Sequence, residues 1–99
     1  MANVFKLSKA FSDQNRVKIL KMLTDGPKNV STVADKLNVE ENLASHHLRV
    51  LHAIGLLRNS KKGRQVYYDL NKAKFITLLK DLQKNEFFRE VLLEALAEE

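Results

Sequence analysis

Ninety-nine residues make one domain, 44% of it hydrophobic and 29% charged, so the chain sits near the globular average and wholesale disorder is a poor reading. No apolar run approaches the roughly 18 residues that cross a bilayer, Met1 to Lys9 lack the apolar block of a signal peptide, and the absence of cysteine excludes disulfides, thiol catalysis and thiolate metal sites; a cytoplasmic protein without a membrane partner is expected. The net charge of +5 is uneven, with +6 on residues 1–70 and −1 on residues 71–99, which favours a polyanionic partner such as double-stranded DNA.

Val4, Leu7, Ser8 and Phe11 recur at helical spacing and predict a short amphipathic helix. Asp13 is a suitable N-cap for a second helix with Val17, Leu20 and Leu23 on one stripe, stopped by Gly26-Pro27. Ser31 or Thr32 can cap a third helix through Val33, Ala34 and Leu37. Asn38-Val39-Glu40-Glu41 then has the form of a capping box opening a longer helix that runs to about Ile54, before Gly55. The buried stripe expected of that helix is Leu43, His47, Val50, Leu51 and Ile54 with Leu48 beside them; Asn42, Ser45, His46 and Arg49 fall on the opposite face.

Leu56 to Ser60 and Gln65 to Leu70 flank Lys61-Lys62-Gly63-Arg64, and Val66, Tyr68 and Leu70 alternate as a half-buried strand does, so a hairpin with a basic tip is expected. Asn71 caps a helix carrying Phe75, Leu78, Leu79 and Leu82, and an apolar pattern continues through Phe87, Phe88, Val91, Leu92 and Leu96. The sequence leaves open whether the chain bends near Lys84-Asn85.

The predicted architecture is mainly helical with a small β-hairpin (α+β): a winged helix-turn-helix in a single domain over residues 1–99. The helix-turn-helix spans about 31–54 and the wing about 56–70. Helices over about 3–12 and 71–97 carry more apolar surface than one small helical layer covers, so Val4, Phe5, Phe11, Phe75, Leu79, Leu82, Phe88 and Leu92 are the candidates for a homodimer interface, which suits an inverted-repeat DNA site. An apolar effector between subunits is a lesser possibility for the same surface.

Candidate DNA contacts are Thr32, Glu41, Asn42, Ser45, His46 and Arg49 on the helix-turn-helix, with Lys61, Lys62 and Arg64 on the wing, whose positive side chains suit phosphates or the minor groove. Glu41 is better explained by capping and helix-dipole complementarity than by base contact. His46, His47 and His52 make a weak metal set, because adjacent helical residues diverge by about 100° and no cysteine or carboxylate completes the site. His47 falls on the buried stripe and is expected to hydrogen-bond inside the domain. No Ser/His/acid spacing, phosphate-cradling loop or paired catalytic carboxylates stand out, so an enzyme is not expected, nor any cofactor. The competing reading is a winged-helix module that binds protein rather than DNA, against which the basic wing argues.

Four segments in order resemble the ArsR/SmtB family of bacterial and archaeal repressors: Ala10-Phe11-Ser12-Asp13-Gln14-Asn15-Arg16 with Ile19, Leu20 and Leu23; Ser45-His46-His47-Leu48-Arg49-Val50-Leu51; Gly55-Leu56-Leu57; and Lys62-Gly63-Arg64 with Val66-Tyr67-Tyr68. The resemblance implies a dimeric, operator-binding repressor whose first and last helices form the dimer interface. It also implies departures. Asn29 and Ser31 stand where arsenic- and lead-type members carry cysteines, and Lys72, Lys74, Asn85 and Phe88 where zinc- and nickel-type members carry ligands, so metal control through those positions is not expected.

Overall fold

The computed structural model describes residues 2–97; the predicted dimer contact Leu92 and the apolar Leu96 have side chains outside the described set. In chain order the elements are α1 (Ala2–Phe11), α2 (Gln14–Met22) running into a 3-10 turn (Leu23–Asp25), β1 (Lys28–Asn29), α3 (Val30–Leu37), α4 (Glu41–Ile54), β2 (Leu57–Lys62), β3 (Gln65–Leu70), α5 (Lys72–Gln83) and α6 (Glu86–Ala97). This is the predicted winged helix-turn-helix with one strand added, since β1 joins the hairpin in a three-stranded antiparallel sheet of order β1-β3-β2.

Asp13 caps α2 as its residue type and extended backbone favour, its Oδ1 accepting from the N–H of Asn15 at 2.7 Å and of Arg16 at 3.3 Å. The buried face of α2 with its 3-10 turn is Ile19, Leu20 and Leu23, while Val17 of the expected stripe is only half-buried. On α1 the buried positions are Leu7 and Ala10, and Phe11 turns outward.

Two local predictions fail, for one kind of reason. Antiparallel pairing of Lys28 with Tyr68 and Asn29 with Tyr67 holds Asn29 in an extended conformation, so Asn29 caps α3, its Oδ1 taking the N–H of Thr32 at 2.8 Å. Ser31 and Thr32 lie inside the first turn instead of capping it. At the other end Asn38 adopts a left-handed conformation (φ 56°) and closes α3 through its own N–H, so it cannot also cap α4. Glu40 stands at that N-cap without a side-chain hydrogen bond, and the capping box does not form. Glu41, exposed in the first turn of α4, keeps only its favourable position against the helix dipole.

The side chains of α4 that enter the core are Ala44, His47, Leu48, Leu51 and Ile54. Leu43, expected there, is 42% exposed, and the fully buried Ala44 takes its place in the core. Gly55 ends the helix at φ 99°, where a side chain would meet Lys74. β2 and β3 pair from Leu57↔Leu70 to Lys62↔Gln65, leaving a two-residue turn of Gly63 (φ 62°) and Arg64. Lys61 and Lys62 are therefore strand residues on opposite faces of the hairpin rather than turn residues. Asn71 caps α5 through the N–H of Lys74, and Asn85 caps a separate α6 through the N–H groups of Phe87 and Phe88, so the chain does break at Lys84-Asn85. Ile19, Leu23, Val33, Leu48, Leu51, Leu56 and Leu78 form the fully buried centre between these layers.

Candidate nucleic-acid interface

The tight turn 38–40 between α3 and α4 leaves one strip of α4 in solvent, and Asn42, His46 and Arg49 stand exposed on it, with Ser45 half-covered at its edge. Arg49 Nη1 donates to Ser45 Oγ at 3.1 Å, one turn apart, which pre-orients the guanidinium along the helix. Thr32 lies in the first turn of α3, half-buried, with its N–H committed to Asn29. In the wing, Lys61, Lys62 and Arg64 are all exposed, and Lys62 Nζ sits 5.5 Å from the centre of the Tyr67 ring, a cation–π arrangement that holds this charge on one face of the hairpin. The structure thus places the predicted contacts in two groups, one on α4 and one on the wing, with Thr32 apart from both.

Beneath the exposed strip, α4 is pinned to α2 by a polar cluster. His47 is 4% exposed; its Nδ1 lies 3.2 Å from Arg16 Nη1 and its Nε2 3.8 Å from Asp13 Oδ1. A guanidinium has only donors, so Nδ1 accepts, His47 is neutral, and its proton sits on Nε2 facing the carboxylate. Burial pushes the His47 pKa down; the Asp13 charge opposes this, and the charges of Arg16 and His46 add to it. Asp13 is also held below its ordinary value: desolvation acts upward, but the two N–H bonds from Asn15 and Arg16, the charge of His47 once it is protonated in the acid range where Asp13 titrates, and the charge of Arg16 outweigh it. Arg16 further donates from Nε to the Lys9 carbonyl and from Nη2 to Ser12 Oγ, both at 3.0 Å, so one side chain ties the end of α1 to α4. Sequence reading expected an internal hydrogen bond for His47 but not its partner; the signal available was Asp13 and Arg16 at a shared helix start.

Of the predicted dimer contacts, Phe5 is 68% exposed, Phe11 and Leu79 are also exposed, and Val4, Phe75, Leu82 and Phe88 are half-buried. Phe11 packs beside Phe75 at 6.0 Å between ring centres, joining α1 to α5. Ile76 and Leu93 belong to the same exposed apolar surface and were not singled out by sequence, because a flat helical pattern does not show which side is covered.

The model for bacterial regulatory proteins of the arsR family matches residues 13–59 of this chain. The transcriptional repressor SdpR of Bacillus subtilis is 38% identical over 71 residues, spanning 72% of this chain and 76% of that protein. The chain belongs to the arsR family of bacterial regulatory proteins. A cadmium resistance regulatory protein CadC homolog of Staphylococcus aureus is 41% identical over 70% of this chain, which spans only 58% of that longer relative. Among solved structures, an ArsR-like transcriptional regulator from Rhodococcus sp. RHA1 superposes with a TM-score of 0.77 at 27% identity, covering 98% of this chain and 92% of that one. HlyU from Vibrio cholerae does so at 0.67 and 28%, over 84% and 90%. The family is one of regulators, not of enzymes.

Within this arsR-family chain, three of the six positions that the resemblance associates with metal carry polar side chains that make structural contacts. Asn29 spends its Oδ1 on the cap of α3 and its Nδ2 on Gln65, Asn85 caps α6, and the Lys74 side chain lies over Gly55. Among the described residues no three His, Asp or Glu side chains converge, and ammonium groups at positions 72 and 74 would repel a cation. The ammonium groups at 72 and 74 and the amide at 85 do not fit a metal.

Proposed function

We propose that the chain is a transcriptional repressor that binds an inverted-repeat operator in double-stranded DNA as a homodimer in the cytoplasm, released by something other than the usual metal sites of its family. The observation that carries this is the exposed strip of α4, where Asn42, Ser45, His46 and Arg49 follow a tight turn, the arrangement by which a recognition helix enters a major groove. Lys61, Lys62 and Arg64 supply phosphate or minor-groove contacts from the wing. Helices α1, α5 and α6 supply the dimer interface, since every exposed large apolar side chain among the described residues except Leu43 lies on them. The names of SdpR and of the SmtB repressors of Mycobacterium tuberculosis support repression, although the more distant HlyU of Vibrio cholerae is named an activator.

Selection from a random duplex pool tests all of this together. An enriched inverted repeat with half-sites about 34 Å apart supports the reading; no enriched sequence at moderate salt refutes it.

A further inference from the structure

Leu43 is the one large exposed apolar side chain of the described residues that lies outside the dimerisation helices. It sits in the first turn of α4, directly after Asn42 and one turn before His46, both exposed. The N-terminal residues of a recognition helix are those that meet base edges. A major groove offers a single purely apolar feature for such a side chain, the C5 methyl group of thymine; the rest of its floor is donors and acceptors. Leucine gains nothing against those polar edges, and at 42% exposed it keeps an uncovered apolar face beside Asn42 and His46, while the next residue, Ala44, is fully buried.

We infer that Leu43 is a specificity-determining residue that packs on a thymine methyl group in each operator half-site. The inference deepens the DNA-binding reading above and rests on it. Asn42, beside it, has the amide that pairs with adenine edges, so a half-site with thymine under Leu43 and adenine within reach of Asn42 is the chemistry that this first turn fits.

The test uses the duplex recovered by selection from the random pool, remade with each thymine of both half-sites replaced in turn by deoxyuridine, which removes the methyl group and leaves the base pair. At one position per half-site the wild-type chain should bind about fourfold more weakly, and about fifteenfold more weakly when both half-sites are changed, the factor that burying one methyl group in each is worth. Leu43→Ala should bind the thymine and deoxyuridine duplexes equally at that position, while Leu43→Met, unbranched and still apolar, should keep most of the difference. Alanine is the better helix former and the site is exposed, so the variant should keep the wild-type circular dichroism. Equal deoxyuridine penalties for wild type and Leu43→Ala at every thymine overturn the inference, as does a recovered half-site without thymine. A wild-type chain that enriches no duplex at all instead refutes the DNA-binding reading.

Discussion

Replacing His47 by leucine separates what the buried imidazole contributes from what its shape contributes. Leucine refills most of the space, but Arg16 Nη1 loses its acceptor 3.2 Å away, while Nε and Nη2 keep their bonds to Lys9 and Ser12. A hydrogen bond to a charged group is worth about 1.5–3 kcal/mol, and because Arg16 is only half-buried, water replaces part of the lost acceptor and keeps the loss at the lower end of that range. For a domain of this size such a loss lowers Tm on the order of 10 °C. The pH profile gives a sharper readout. Because the folded-state pKa of His47 lies below the ordinary 6.5, the unfolded chain takes up the proton first. Its contribution is therefore complete above pH 6.5 and is lost as pH falls through the lowered folded-state value. Protonation would put an N–H on Nδ1 against the guanidinium. Asp13 adds a separate loss at more acid pH, below its ordinary 3.8, again because its folded-state pKa is the lower one. Chemical denaturation at fixed protein concentration, from pH 8 to pH 5, should show wild type losing stability below about pH 6.5. His47→Leu, less stable at pH 8, should lack that step, so the two curves converge. Parallel curves, or a wild type that gains stability on acidification, would refute the neutral His47 assigned here.

Exchange of Lys61, Lys62 and Arg64 for Gln should leave folding intact and flatten the dependence of log affinity on log salt by about 0.9 per lost phosphate contact, hence by about 2 for one contact per wing and about 5 for three; an unchanged slope places the DNA surface elsewhere. Ile76→Glu with Phe87→Glu puts charge on two of the most exposed apolar positions and should shift the chain to monomer in analytical ultracentrifugation; a dimer that persists moves the interface away from α5 and α6. Gly55→Ala forces a Cβ onto φ 99° and to 3.1 Å from Lys74, and should cost more than about 1 kcal/mol in urea denaturation, where an unchanged midpoint would contradict the left-handed helix end.

Sequence pattern reached the element order and the exposed strip of α4, because Asp13, Gly55, Gly63 and Asn71 each punctuate the chain with a residue whose local chemistry admits few alternatives. It failed where a choice among similar residues is made by a distant partner. Asn29, Ser31 and Thr32 are all competent caps, and pairing with Tyr67, far along the chain, selects Asn29. The two-residue β1 is too short to carry any alternation. Leu43 and Ala44 differ by one step of helical phase; the more hydrophobic was expected inside, whereas the fully buried position goes to the smaller. The break at Lys84-Asn85 was open because Asn can sit within a helix or cap the next.

The third strand stops short of the hairpin's end. β1 pairs only at Tyr67 and Tyr68, so the sheet is three strands wide at Asn59↔Tyr68 and Ser60↔Tyr67 and two strands wide from Lys61↔Val66 outward. Bending stiffness drops at that step, since a two-stranded ribbon twists more freely than a wider sheet. In mechanical terms the wing is a cantilever clamped at its root, with its free end at Gly63-Arg64. On the operator proposed above, variation in the width of a flanking groove would bend that free end before it reached the clamped strands, leaving the proposed alignment of α4 on its bases less sensitive to the shape of the DNA on either side.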